Sequence, residues 1–145
     1  MITTQNIDRP PDLLDRMIGA AGARPSDQVT IAGGDIEWLL GLARRGYVHA
    51  ECAVARGGGA TDVLLIPAVA TPQELATIMA RLGRCLHHGG MAVIYLARVA
   101  TRRRMAPLRR VLDAGGLALQ MCSPCRDGTI LAARKVGGAA LLIAA

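Results

Sequence analysis

Cysteine and histidine are the residue types whose spacing in this chain most readily suggests chemistry. Cys122 and Cys125 form a C-x-x-C pair near the C-terminus. A structural zinc site usually takes its ligands from two such pairs, and here the remaining ligands would have to come from distant elements. A redox C-x-x-C lies at a helix N-terminus, whereas this one falls at a predicted hairpin turn. We therefore interpret the pair as a coincidence of spacing and predict no metal site.

The adjacent histidines His87 and His88 precede Gly89 and Gly90. We interpret them as residues at the C-terminal end of a helix, where an imidazolium suits the helix dipole, and a catalytic base is the alternative. The sequence contains no recognisable Ser-His-Asp or Cys-His arrangement, P-loop or paired-carboxylate motif. It therefore names no catalytic residue.

A glycine turn follows the first predicted strand, residues 29–32. Gly33, Gly34 and Asp35 either hold a cofactor, because the backbone approaches a ligand closely where no Cβ intervenes, or form a tight strand-to-helix connection with Asp35 as N-cap. A dinucleotide site is less favoured, because G-x-G-x-x-G is not met. Glu51, on the next predicted strand, is either a ligand or a solvated carboxylate.

Charge is divided unevenly along the chain. Residues 1–74 carry nine acids and six arginines, a net charge of −3, whereas residues 75–145 carry two acids, ten arginines and one lysine, a net charge of +9. The arginines of residues 102–110 suit phosphate contacts, but no aromatic residues are interleaved with them as a stacking platform. We interpret them as a solvated face, with nucleic acid as the less favoured partner.

No apolar run approaches the roughly 20 residues that span a bilayer. The first residues lack both the basic start and the apolar run of a signal peptide. We therefore predict a soluble, cytoplasmic protein with reduced thiols and no membrane partner.

Short apolar runs bounded by glycine alternate with segments of helical period, a pattern typical of a parallel sheet covered by helices. The last two predicted strands are joined by residues 123–128, too few for a helical crossover, so they should pair antiparallel. We expect one domain over residues 1–145, with an N-terminal helix region at 1–24 and an apolar tail at 136–145. The predicted strands are 29–32, 47–55, 63–66, 91–96, 117–122 and 129–134, and the predicted helices follow Pro10-Pro11, Asp35, Thr71-Pro72 and the Arg102–Arg104 run.

Three segments resemble the class I S-adenosylmethionine (SAM)-dependent methyltransferases. Residues 29–46 are similar to the family's first strand, glycine-rich loop and first sheet helix, and residues 61–96 to its fourth strand, helix and fifth strand, where residues 86–90 (LHHGG) resemble the usual LRPGG. Residues 105–135 are similar to the final helix and hairpin. The resemblance implies an α/β fold: a three-layer Rossmann-like sheet, mostly parallel, with a C-terminal antiparallel hairpin.

The resemblance also implies a SAM site with an eroded glycine motif. Gly34 matches the middle of the family's three alternating glycines, whereas Ala32 and Ile36 replace the outer two. Glu51 is the residue placed for the acid that ends the second strand and accepts hydrogen bonds from the ribose hydroxyls. The residues after the fourth strand lack the family's Asn/Asp-Pro-Pro-aromatic signature. The cofactor-binding residues implied are Gly33, Gly34, Asp35, Glu51 and Pro67.

The chain is shorter than the family pattern between Glu51 and Asp62, which are only eleven positions apart. The usual third strand and its helix, whose loops frame the adenine, are therefore predicted to be absent. We expect a SAM-dependent methyltransferase-like protein of reduced or lost activity, which, if active, transfers a methyl group to a small molecule or another acceptor that the sequence does not identify. The alternative is a non-catalytic binding or assembly module, with a homodimer formed through the apolar tail.

Overall fold

The computed structural model describes residues 10–33, 36–53, 61–97, 102–125 and 128–136. Within these ranges the chain alternates strands and helices, as the sequence predicts. The helices are α1 (Pro10–Ala21), α2 (Ile36–Arg44), α3 (Pro72–Leu82) and α4 (Arg102–Ala114), with a 3-10 turn at Gly83–Cys85. The strands are β1 (Val29–Ala32), β2 (Ala50–Ala53), β3 (Thr61–Val69), β4 (Leu86–Leu96), β5 (Leu117–Pro124) and β6 (Thr129–Lys135).

The described strands form one mixed sheet in the order β2-β1-β3-β4-β6-β5. The first four strands are parallel, and β6 runs antiparallel to both of its neighbours. This confirms the predicted α/β class with a closing antiparallel hairpin. We call the C-terminal ends of β1 to β4 the carboxyl edge and the opposite side the amino edge.

Two helix layers cover the sheet, one on each face. On the α1/α2 face, Met17 and Trp38 pack against Val63, Val93 and other buried residues. On the α3/α4 face, apolar side chains of α3 and α4 pack against alternate residues of the same strands, such as Ile94 beside Val93. Neighbouring residues of β4 thus enter different cores, as expected for a strand buried on both sides.

Helix α3 begins where the sequence predicts and ends earlier. The Thr71 hydroxyl accepts a hydrogen bond from the Glu74 N–H at 3.2 Å, with Pro72 in the first turn. The prediction that the helix continues to Gly89 is wrong, because the helix ends at Leu82 and β4 begins at Leu86. Leu86 keeps the helical spacing of buried residues, but its burial comes from pairing with Thr61 in the sheet.

The bounds of three other elements also differ from the predicted ones. Strand β2 starts at Ala50 rather than at Tyr47, whose N–H donates to Leu42 O at the end of α2 and whose hydroxyl donates to Ala23 O. Helix α4 already begins at Arg102, so Pro107 lies inside it. Strand β3 runs from Thr61 to Val69, longer than predicted on both sides.

Seven residues, 54–60, connect β2 to β3 and lie outside the described residues. Gly34, Asp35 and the tail from residue 137 onward also lie outside the described residues. None of the described helices has the length and apolar character needed to cross a membrane.

Candidate functional site at the carboxyl edge of the sheet

The order of the strands creates a crevice at the carboxyl edge between β1 and β3. From β1 the chain moves to β2 on one side, whereas β3 lies on the other side of β1. In open α/β sheets, ligands bind outside the carboxyl ends of the strands where the direction of winding changes. We therefore expect a ligand-binding site between the end of β1 and the end of β3.

Gly33 leaves β1 at this crevice with a backbone φ of 115°. L-residues with a side chain rarely adopt such an angle, which explains glycine at this position. Among the described residues, no atom lies within 4 Å of a Cβ added to Gly33, so these residues leave space in front of the turn. Gly34 and Asp35, which the sequence also singles out, are not among the described residues.

Apolar residues, several of them small, form the described strand ends around the crevice. Ala32 and Ala53 end β1 and β2 and are half-buried. Strands β3 and β4 end at buried residues, and the adjacent Ala68 and Ala97 are exposed. No acid or base stands among these described strand-end residues. The acids that begin the next elements are Glu37 and Glu74, in the first turns of α2 and α3. The described strand ends at this edge therefore offer backbone groups and space to a ligand.

Pro67 lies in an irregular part of β3 next to the crevice. Ile66 pairs with Ile94 and Val69 pairs with Leu96, so β3 carries one residue more than β4 over this stretch. Such a bulge turns the strand away from its neighbour, and proline suits it because it has no N–H to pair. The bulge places Pro67 half-buried and Ala68 exposed at the carboxyl edge.

The predicted position of Glu51 at the end of β2 is wrong. In the sheet register Thr30 faces Glu51 and Ala32 faces Ala53, so the strand continues for two residues beyond the carboxylate. At about 3.3 Å per residue, the Glu51 backbone stands roughly 7 Å short of the strand end. The side chain is exposed on the outer strand β2. Its role as a cofactor ligand stays a prediction.

Polar side chains that contact one another lie at the opposite, amino edge. The Asp62 carboxylate accepts a hydrogen bond from the Gln28 N–H at 2.7 Å and also pairs with Nε2 of His87. The hydrogen bond from His87, followed by that from Gln28, lowers the pKa of Asp62. The bond to Asp62 in turn raises the pKa of His87, whose Nδ1 lies 2.8 Å from His88 O. Both ring nitrogens face acceptors, which favours the imidazolium.

This pair holds a wide bulge at the start of β4. Thr61 pairs with Leu86 and Val63 pairs with Met91, so Asp62 alone faces residues 87–90. A guanidinium N–H of Arg134 donates to Gly89 O at 3.1 Å from the other side of β4. His87 and His88 therefore lie in a strand, and their predicted position at a helix end is wrong. The bulge is far from the crevice, which favours a structural role over that of a catalytic base.

The C-x-x-C cysteines lie on opposite faces of the hairpin. Cys122 is exposed and pairs with Leu131 of the α3/α4 core, whereas Cys125 packs against the α1/α2 core. Within the described residues no three His, Cys, Asp or Glu side chains are close enough together to hold a metal ion. The two thiols therefore lie on different faces of the sheet and have different neighbours.

Sequence reasoning missed the Asp62–His87 contact, although it noted both residues. The two are 25 positions apart. Neither has a local signal that pairs them, because the contact depends on the register between β3 and β4. Only the LHHGG string hinted that this segment has a special backbone.

Comparison with known proteins finds no matching family model and no significantly similar curated protein. Solved structures do match. A geranyl diphosphate methyltransferase in complex with GPP and sinefungin has a TM-score of 0.68 at 11% identity, over 86% of this chain and 77% of that one. A methyltransferase from Pyrococcus furiosus has a TM-score of 0.61 at 12% identity, over 89% and 84%. TrmN from Thermus thermophilus has a TM-score of 0.60 at 18% identity, over 89% and 50%.

The chain spans about half the length of TrmN and most of the other two structures. At these identities the comparisons establish the fold alone. They confirm the resemblance that the sequence suggested, because two of these structures are methyltransferases and a further geranyl diphosphate methyltransferase structure is a complex with SAM. The described part of this chain therefore has the Rossmann-like α/β fold of the SAM-dependent methyltransferases.

Proposed function

We propose that the chain is a single SAM-binding, methyltransferase-like domain with its cofactor at the crevice between the ends of β1 and β3. The observation that carries this proposal is the Gly33 turn, with its positive φ and open space, at the point where the winding of the sheet reverses. A related methyltransferase fold solved in complex with SAM supports it. We place the protein in the cytoplasm.

The residues at the crevice fit the cofactor in part. The turn of Gly33, Gly34 and Asp35 would bring backbone N–H groups to the ligand, and Pro67 would border it from β3. Glu51 fits less well, since it stands two residues before the end of β2. A bound SAM would supply an activated methyl group for transfer to a nucleophilic atom of the acceptor, with S-adenosylhomocysteine and a proton as the other products. The chain's contribution is to hold the partners in line.

We further propose that the sheet lacks the third strand of the family and its helix. The seven residues between Ala53 and Thr61 leave no room for both. The adenine would then meet solvent where relatives have loops. This predicts weak cofactor binding and reduced turnover on a small-molecule acceptor.

Calorimetric titration with SAM and with S-adenosylhomocysteine tests the proposal. Ala68→Trp places a bulky side chain at the exposed carboxyl edge, and His88→Trp places the same bulk at the exposed amino edge. We expect binding by the wild type and by His88→Trp, and loss of binding by Ala68→Trp. Absence of heat with wild type at millimolar ligand, or equal binding by the two variants, would contradict the proposal.

A non-catalytic binding or assembly module is the second candidate. It is favoured by the lack of an acid or base at the described strand ends and by the position of Glu51. A homodimer through the apolar tail, residues 136–145, belongs to this candidate. Light scattering on the full chain and on a chain truncated after Lys135 tests it: a dimer that becomes a monomer on truncation supports it, and two monomers reject it.

Nucleic acid remains the less favoured partner. Arg103, Arg109 and Arg110 are exposed along α4. Phosphate contacts release counterions, so binding through this helix must weaken steeply with salt. Binding to a DNA or RNA oligonucleotide that stays unchanged between low and high salt would exclude this partner.

A further inference from the structure

A cleft of about 300 Å³ lies between α1 and the β5–β6 hairpin. Its volume is at the lower end of the range for small-molecule sites. It lies on the α1/α2 face, where α1 covers β4 and β6. The lining residues are Arg16, Gly19, Ala20, Met121, Ser123 and Ile130.

A bulge in β5 produces one wall of this cleft. Leu119 pairs with Ala133 and Met121 pairs with Ala132, so β5 carries one residue more than β6 over this stretch, and Gln120 has no partner in the register. The extra residue reverses the alternation of the strand, and Met121 and Ser123 turn to the α1/α2 face instead of joining Leu119 on the other. As a result, Met121 leaves 42% of its surface exposed beside α1.

Small residues of α1 form the opposite wall. Gly19 and Ala20 line the cleft opposite the hairpin, and a Cβ added to Gly19 would meet no atom of the described residues within 4 Å. Glycine in a helix interior costs roughly 0.5–1 kcal/mol relative to alanine. No described side chain fills the space beside Gly19, which leaves room for a ligand.

The lining combines three chemistries. Met121 and Ile130 are apolar, Ser123 carries a hydroxyl, and Arg16, an exposed residue, carries a guanidinium. Arg16 has a partner within the protein, but a guanidinium has five N–H donors and can bind a further anion. An apolar body with one anionic group is the ligand that satisfies all of these residues.

The cleft is also close to the candidate cofactor crevice. Thr129 and Ile130 pair with Leu96 and Tyr95 at the carboxyl end of β4. Strand β6 is two strands from β3 in the sheet, about 10 Å. A molecule held in the cleft that extends across the end of β4 reaches the crevice.

We propose that this cleft binds the methyl acceptor, and that the acceptor is a small amphipathic molecule with an anionic carboxylate or phosphate group held by Arg16. The role as acceptor site rests on the proposed function, whereas the binding of such a molecule does not.

Titration with octanoate, octyl phosphate and octanol tests the proposal on the full chain. We expect the wild type to bind the two anions more tightly than the neutral alcohol. Arg16→Gln should weaken anion binding about tenfold and leave octanol unchanged, because it removes only a charge-assisted contact. Arg109→Gln, on the opposite face, is the matched control and should change neither.

Gly19→Leu should fill the cleft and weaken all three ligands, whereas Ala80→Leu adds the same side chain to the exposed side of α3 and should not. Circular dichroism checks that each variant is folded. If Gly19→Leu does not fold, the comparison of wild type with Arg16→Gln still tests the proposal. Anions that bind no better than octanol, or binding unchanged in Gly19→Leu and Arg16→Gln, would overturn the proposal. If anions bind but SAM does not, the acceptor role falls. If SAM binds and the anions do not, only the cleft proposal falls.

Discussion

The two edges of the sheet are built from different residues. At the amino edge, Asp62 contacts both His87 and the Gln28 backbone, and Arg134 and Lys135 donate to the carbonyl oxygens of Gly89 and Gly83. At the carboxyl edge, glycine and alanine residues lie at or next to the described ends of the strands around the β1–β3 crevice.

This difference separates stability from binding. The amino edge ties distant segments together through specific contacts, and we expect substitutions there to change the free energy of unfolding. The carboxyl edge leaves space and backbone groups, and we expect substitutions there to change ligand binding instead. Three changes at the amino edge test this division, beginning with the largest effect.

Gly90→Ala should destabilise the protein by about 3 kcal/mol. A Cβ at Gly90 would come within 2.6 Å of Leu86 Cδ1 and 3.0 Å of the Asp62 and His87 carbonyl oxygens. Leu86 is buried and the other two atoms are backbone, so the strain cannot be relieved by a small shift. Urea unfolding measures the change.

The matched control for Gly90→Ala is Gly115→Ala, also at the amino edge. A Cβ at Gly115 would make only ordinary contacts, at 3.6 Å or more. We expect its free energy of unfolding to change by less than about 1 kcal/mol. Equal effects of the two substitutions would show that the amino edge is not tightly packed.

Asp62→Ala should destabilise the protein by about 1–2 kcal/mol, because the Gln28 N–H and His87 both lose their charged acceptor. We expect a modest loss of stability because Asp62 and His87 are partly exposed, with 37% and 43% of their side-chain surface accessible. Asp113→Ala, an exposed acid on α4, is the control. Loss of SAM binding in Asp62→Ala without loss of stability would contradict the division between the edges.

The smallest effect concerns pH. The pKa of His87 is raised by Asp62, so the pair stabilises the fold fully below the ordinary imidazole pKa of 6.5 and loses this contribution as pH rises through the raised value. The pKa of Asp62 is lowered, so the contribution also disappears as pH falls through a value below 3.8. Asp27 and Arg24 add weaker charge effects.

We therefore expect the difference in stability between wild type and His87→Gln to shrink as pH rises above about 6.5, by less than about 1 kcal/mol, as for other exposed ion pairs. Urea unfolding at several pH values measures this difference. His88→Gln, in the same bulge, should keep the pH dependence of the wild type. A His87→Gln variant whose stability follows pH as the wild type does would refute the role of the pair.

Local patterns predicted much of the fold. Thr71-Pro72-Gln73-Glu74 identified the start of α3, because a capping hydroxyl acts within one turn of the chain. The end of the same helix was predicted wrongly, because Leu86 fits the helical period and is buried by a strand far away in sequence. Glu51 was placed at a strand end for a similar reason: composition indicates a strand, but only its pairing with β1 decides where it ends.

By itself, the sequence determined the α/β class, the order of the elements and the antiparallel hairpin, because these follow from short-range periodicity, glycine turns and the lengths of connections. The tertiary structure decided which side of the sheet holds the polar contacts and which is open. It also decided that a bulge in β5 turns Met121 toward α1 and leaves a cleft there. Register and bulges arise from the pairing of strands that are distant along the chain, and a shift of one residue exchanges the face to which every side chain points.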